Sequence, residues 1–369
     1  MGMDRHTENI IKKNNHKEDT GFTVFTKTGS GKSSRKYALT VAVLLILLVF
    51  LFFASFLVGT YPIPPKTVWD VLFEKISGTG IYWEPAVEKV IFQVRIPRIL
   101  LGILIGGGLA VSGASYQTLF KNPMVSPDIL GVSAGAGFGA ALAMLGSGSW
   151  AEVQLSALFF GILAVLLAYG IGSAYGKAEI TTLVLAGVII SSLFQALLSV
   201  VKTYADTDSQ LPSITFWLMG SLGKGDMKDV SMLLPVTLFC LGLLWLFRNQ
   251  IDVLASGEEE AAALGVNVRL VSGLVIVAST LMTVISVSVC GIIGWVGLVV
   301  PHIARTFAGA RYGRLMTLSF LIGGSFLLLM DNLIRGVSRV ELPLGVLTAL
   351  IGTPVFALLL IRARRRENV

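Results

Sequence analysis

The chain has 369 residues, 54% of them apolar and only 14% charged, with 40 glycines and a formal net charge of +7. An average globular domain is roughly 25% charged, so this composition excludes an ordinary soluble protein and points to the membrane. The positive charge sits in the N-terminal tail, in the C-terminal run Arg362 to Arg366 and in short connections. It forms no aromatic-interleaved basic face, which argues against a nucleic-acid partner.

Residues 1–37 are polar, rich in Lys, Asn, Thr and Ser, and lack hydrophobic periodicity, which predicts a disordered basic tail. Within it, Thr26 to Ser33 reads TKTGSGKS, close to the phosphate-binding pattern G-x-x-x-x-G-K-[ST]. Thr26 occupies the first glycine position, and the first apolar run begins too soon after Ser33 to leave room for a nucleotide domain. No nucleotide site is expected there.

Positions 38–59 carry no charge and are long enough for a bilayer core that needs ~20 helical residues. Without a short apolar region and a small-residue cleavage site it reads as a retained span, not a secretory signal. Further apolar runs follow near 99–119, 129–145, 153–173, 182–201, 230–247, 269–290, 292–308, 315–334 and 344–361. They predict an all-α polytopic membrane protein of ten transmembrane helices with both termini on one side. With the termini in the cytoplasm, the inner segments hold 19 Lys and Arg and the outer ones 10, as the positive-inside rule requires. The expected organisation is a tail (1–37), a ten-helix transmembrane domain (38–362) and a basic C-terminal tail (363–369).

The stretch from Arg95 to Gly139 stands out. Two arginines bracket Pro97, and a long apolar run follows with Ser112, Ser115 and Gln117 as polar breaks. A turn at Asn122-Pro123 and Ser126-Pro127-Asp128 leads into a run with Gly131, Gly135 and Gly139 at four-residue spacing. Such glycines let helix backbones approach closely, and a break at membrane depth must be buried or line a cavity. The pattern predicts helix, broken turn and helix beside a pathway.

Among the connections, 61–88 contains Val68, Val71, Leu72 and Ile76 at helical spacing, predicting a short amphipathic helix on the outer surface. A second outer segment, 206–229, holds Trp217. The cytoplasmic connection 249–268 places Glu258, Glu259 and Glu260 after Gly257 and ends its apolar stretch at Leu264-Gly265. Acidic residues in a first turn and a terminating glycine predict a short capped helix. A connector twenty residues long suits docking better than mere linkage. Cys240 and Cys290 lie inside apolar runs and read as packing residues. The three histidines do not cluster, and no catalytic triad or paired carboxylate is recognisable. His302 reads as a structural helix-end residue and Asp331 with Arg335 as a local i,i+4 pair.

Several of these residues fall into a known order. Arg95-Ile-Pro-Arg98, Ser112-Gly113-Ala114, Gln117, Asn122-Pro123-Met124 and Gly131-Val132-Ser133 with Gly135-Ala136 resemble the FecCD family of permeases. So do Gly257-Glu258 with Ala261 and Leu264-Gly265, Gly291 to His302 with Arg305, Asp331 with Arg335, Glu341 to Gly345 and Thr348 to Pro354. The likeness runs through residues 60–361. Tyr116, Met124 and Ala134 depart from the residues usual at those places.

The family comprises membrane subunits of ATP-binding-cassette (ABC) importers for iron-siderophores, haem, cobalamin and related chelates, with the type II importer permease fold. The resemblance implies a homodimer in a prokaryotic cytoplasmic membrane, two separate ATPase subunits and an extracytoplasmic substrate-binding protein. It implies no cofactor in this chain and no catalytic residue. Arg95, Arg98 and Arg335 would receive carboxylates of the binding protein. Gly257, Glu258, Ala261, Leu264 and Gly265 would contact the ATPase. Asn122, Pro123, Met124, Thr181 and Thr182 would form the cytoplasmic gate. Iron-siderophore is the leading substrate, with haem, cobalamin or molybdate and tungstate as alternatives. An ion-coupled secondary transporter, the rival class, would need intramembrane carboxylates or histidines, which these runs scarcely offer.

Overall fold

The computed structural model describes residues 30–78, 83–173, 180–309, 311–337 and 342–367. Most of the N-terminal tail lies outside the described residues, as do Lys177, Arg339 and Glu341. Every regular element among the described residues is helical. Helix α1 spans Ser30–Ser55, starting earlier than the boundary expected at Ala38. Once a span has nucleated, each added residue gains a hydrogen bond for little further entropy.

Helix α2, Pro65–Ser77, is the amphipathic segment anticipated in the outer connection. Val68 and Val71 are buried with Phe56 and Ile91, while Trp69 and Phe73 stay exposed. Helix α3, Pro85–Lys89, continues through a π-helical stretch, Val90–Arg95, into α4, Ile96–Leu119. After the break come α5, Val132–Leu145, α6, Trp150–Ser173, and α7, Ile180–Tyr204. Then follow α8, Gln210–Leu218, and α9, Met227–Leu246. The connector holds two helices, α10, Arg248–Ser256, and α11, Glu258–Ala263. The chain closes with α12, Val268–Cys290, α13, Val296–Ala308, α14, Tyr312–Val337, and α15, Leu344–Glu367.

Among the described residues, seven helices are long and apolar enough to cross a membrane, and three more apolar stretches, Val132–Leu145, Val296–Ala308 and Leu344–Leu359, are shorter. These ten coincide with the ten apolar runs of the sequence. The short α5 and α13 follow irregular segments, 120–131 and 291–295, so helix covers only part of each run.

Helix α4 is the axis. Nearly every residue from Pro97 to Leu119 is buried, against α14, α12, α13 and α9. Its polar breaks all have partners. Ser112 Oγ donates to Ser279 O at 3.1 Å, and Tyr116 Oη lies 2.8 Å from Thr280 Oγ1. These bonds satisfy groups that would be costly to bury unpaired. The glycine spacing on α5 is a close-approach device. A Cβ on Gly135 would lie 2.3 Å from Phe160 O, and one on Gly139 2.4 Å from Ser156 O, so α6 packs against bare backbone.

Candidate functional site

Helix α4 has 24 residues and separates the groups at its two ends by about 36 Å. At its N-terminal end Arg95 donates to the carbonyl oxygens of Phe56 and Tyr61. Arg98 Nε lies 2.9 Å from Asp331 Oδ1, and Arg335 Nε 2.9 Å from Asp331 Oδ2. Arg335 Nη1 also donates to Ser55 O at 3.2 Å and Val58 O at 2.8 Å. The i,i+4 pair on α14 is therefore present, but it is shared with Arg98 from α4. Arg95 and Arg98 are 3% and 8% exposed, so they are held within the bundle and do not extend toward headgroups. Two guanidiniums meet one carboxylate and Arg95 lines the same cavity, leaving a surplus of positive charge. A cavity of about 290 Å³ opens onto them past Tyr61, Val94 and Gly223.

At the other end of α4 the chain turns back on itself. Asn122 Oδ1 accepts from Met124 N at 2.9 Å, a local side-chain turn. Asp128 Oδ1 accepts from Ser133 N at 2.6 Å at the start of α5. Gln117 Nε2 reaches Val125 O at 3.3 Å and Leu298 O at 3.2 Å, tying the turn to α13. Asn122, Pro123 and Met124 are exposed, with Met124 at 57%. Thr181 is exposed and Thr182 half-buried at the start of α7. The turn meets α7 at Gly187, where a Cβ would lie 2.0 Å from Ile129 O, about one and a half turns from Thr182.

The connector has a buried face and an open one. Ile251 and Leu254 of α10 and Ala261 of α11 join the core that holds Tyr116, Phe120 and Tyr312. Glu258, Glu259 and Glu260 are exposed, and Leu264 is 72% exposed. Sequence reasoning expected one helix here and found α11. It missed α10, whose apolar spacing is carried by two buried residues only.

A further cavity of about 680 Å³ was not anticipated. Its wall is apolar, with Leu218, Ile292, Trp295, Val346, Leu350 and Pro354. Trp295 has φ +70°, and Val296 N donates to Gly294 O at 2.9 Å across it, a strained three-residue turn rarely occupied by a bulky residue. Ser221 N to Cys290 O, Leu344 N to Gly220 O and Gly345 N to Met219 O link three helix breaks behind this wall. Irregular backbone of this kind at membrane depth must be enclosed or line a cavity. The sequence signal available was the pair Gly294 and Gly297 on either side of an aromatic residue.

Comparison with known proteins places this geometry in context. A family model described as the FecCD transport family matches residues 47–362. The chain is 36% identical over 322 residues to the molybdate import system permease protein of Haemophilus influenzae, covering 87% of this chain and 95% of that one. It is 36% identical over 277 residues to a probable iron chelatin transport system permease protein of Helicobacter pylori, covering 74% and 83%. It is similar to a solved ABC transporter assigned to the metal-chelate type, in an inward-facing conformation. There the TM-score is 0.78 at 35% identity, over 87% of this chain and 98% of that one.

Proposed function

The chain belongs to the FecCD transport family, and from that premise we propose that it is the membrane permease subunit of an ATP-driven importer carrying an iron-siderophore. At the coarser level it is an ABC importer permease of the group that includes metal-chelate and molybdate carriers. ATP hydrolysis belongs to a separate chain in this reading, and two copies of the permease enclose one pathway in the cytoplasmic membrane, with both termini inside.

The observation that carries the proposal is the connector. Ala261 is 0% exposed while Leu264, three residues on, is 72% exposed, so α11 is seated rigidly on the bundle and presents an acidic, leucine-tipped surface outward. A rigid projection of this kind suits contact with an ATPase and conversion of its closure into helix tilting. At the opposite end, the cavity over Arg95, Arg98 and Arg335 admits carboxylates from a binding protein, which planar guanidiniums orient by paired hydrogen bonds. The exposed Asn122 turn with Thr181 and Thr182 serves as the inner gate. The apolar wall at Trp295 suits a bulky chelate that is bound weakly and passed on.

The test is co-purification and uptake. The permease should retain an ATPase with a complete phosphate-binding loop, and vesicles should take up ferric siderophore only with ATP. Uptake that follows an ion gradient without ATP would sink the importer reading. Uptake of molybdate or haem in place of ferric siderophore would sink only the substrate.

A further inference from the structure

The connector and the Asn122 turn are joined by polar contacts that no motif marks. Asp252 of α10 accepts a hydrogen bond from Tyr312 N, the first residue of α14, at 2.5 Å. Tyr312 is 1% exposed, and its hydroxyl lies 2.7 Å from Ser115 Oγ on α4. Ser115 gives its own proton to Val111 O at 2.7 Å, so Tyr312 is the donor in that pair. Two residues beyond Ser115, Gln117 binds Val125 O and Leu298 O, and the Asn122 turn follows. The apolar residues around this chain are continuous as well. Ile251, Leu254 and Ala261 of the connector share one core with Tyr116, Leu119, Phe120 and Tyr312.

We propose that Asp252, Tyr312 and Ser115 are positioning residues that carry displacement of the connector to α4 and so set the position of the Asn122 turn. The proposal rests on the importer reading, in which α11 takes up motion from an ATPase. Apolar packing alone would let α10 slide over α4, because dispersion contacts are non-directional. Hydrogen bonds of fixed geometry at both ends of Tyr312 remove that freedom. A shift of Asp252 therefore draws the start of α14, and Tyr312 Oη draws Ser115.

The test reads the turn directly. In the intact complex reconstituted with its ATPase and binding protein, an Asn122→Cys variant is labelled with a charged methanethiosulfonate reagent. The native thiols Cys240 and Cys290 are buried. Labelling is compared between nucleotide-free and vanadate-trapped states, with ATP hydrolysis followed in parallel. The parent should change its labelling rate by about fivefold or more, a usual size for coupled sites. Adding Tyr312→Phe, which keeps the ring and removes only the hydroxyl, should cut that change below about twofold while hydrolysis continues. Ser115→Ala should act alike, and the two together should do no more than either alone. Ser115→Ala also carries the test if Tyr312→Phe assembles poorly.

An undiminished change in both single variants would overturn the relay and leave the importer reading intact. Additive losses in the double variant would overturn it too, since they show two independent effects. A parent that shows no nucleotide-dependent change would remove both the gate assignment of the turn and the relay.

Discussion

Asp331 is the residue on which the N-terminal end of α4 turns, and its removal gives the sharpest test of that arrangement. It is fully buried and faces Nε of both Arg98 and Arg335 at 2.9 Å. Asp331→Ala leaves two buried guanidiniums without their carboxylate. Breaking a buried pair in this way destabilises by about 3–5 kcal/mol, roughly a hundred- to four-thousand-fold in the unfolding constant. Removing one arginine is different. Arg335→Met keeps the Arg98–Asp331 pair and lowers the surplus positive charge, losing one of the two ion pairs to Asp331 and the bonds to Asn332 and to the carbonyls of Ser55 and Val58, the carbonyl bonds at about 1 kcal/mol each. Unfolding in mixed detergent and dodecyl sulfate micelles should therefore rank Asp331→Ala well below Arg335→Met. If the two unfold within about 0.5 kcal/mol of each other, the cluster is not organised around the carboxylate. This ranking also governs how the docking role is probed. Arg98→Glu would set a second carboxylate against Asp331, confounding instability with lost docking, whereas Arg98→Lys keeps the charge and removes only the planar fork.

Gly135→Ala would place a Cβ 2.3 Å from Phe160 O, forcing α5 from α6 at about 1–3 kcal/mol. Gly273→Ala on α12 meets nothing within 4 Å and should stabilise by about 0.5–1 kcal/mol; the same micelle titration measures both. In the connector, Gly265 has φ +80° with open space around it, so Gly265→Ala should cost about 1 kcal/mol of strain alone. Gly257 has φ 170°, an extended conformation open to any residue, and its Cβ would meet only the mobile Glu260 carboxylate. Gly257→Ala should melt within a degree or two of the parent, and a larger fall would show that the backbone there is constrained by something else. Leu264→Asp, at the exposed tip, should leave thermal stability unchanged yet abolish retention of the ATPase on a permease column; full retention would remove the docking surface.

The ten apolar runs were legible because a bilayer imposes a length and an apolar content that few other settings require. The broken turn after α4 was legible for a related reason, since Asn122-Pro123 and Ser126-Pro127 interrupt a run that would otherwise continue. The Asp331–Arg335 pair followed from spacing. Arg98 did not, because 233 residues separate it from Asp331 and nothing local links them. Helix α10 was missed since Arg248–Ser256 is only nine residues long and derives its order from the core it joins. Trp295 was missed because local rules reject a bulky side chain at positive φ; the structure over-determines it through Gly352, where a Cβ would lie 2.7 Å from Trp295 Cβ. Sites where local preference loses are where function is expected to concentrate.

Tyr116 shows how a buried phenol is accommodated on α4. It brings a hydroxyl into a fully buried position, which is unfavourable unless the oxygen is paired. Thr280 Oγ1 at 2.8 Å and Ile276 O at 3.3 Å supply that pairing from α12. The ring stacks on Phe120 with centroids 5.6 Å apart, at the point where α4 gives way to the turn. Ser115 and Tyr116 thus fasten adjacent positions of α4 to different helices, one to α14 and the other to α12. A helix held on two sides at one level cannot rotate there independently of both neighbours. Displacement arriving from the connector must therefore leave along α4, and the next exposed segment in that direction is the Asn122 turn.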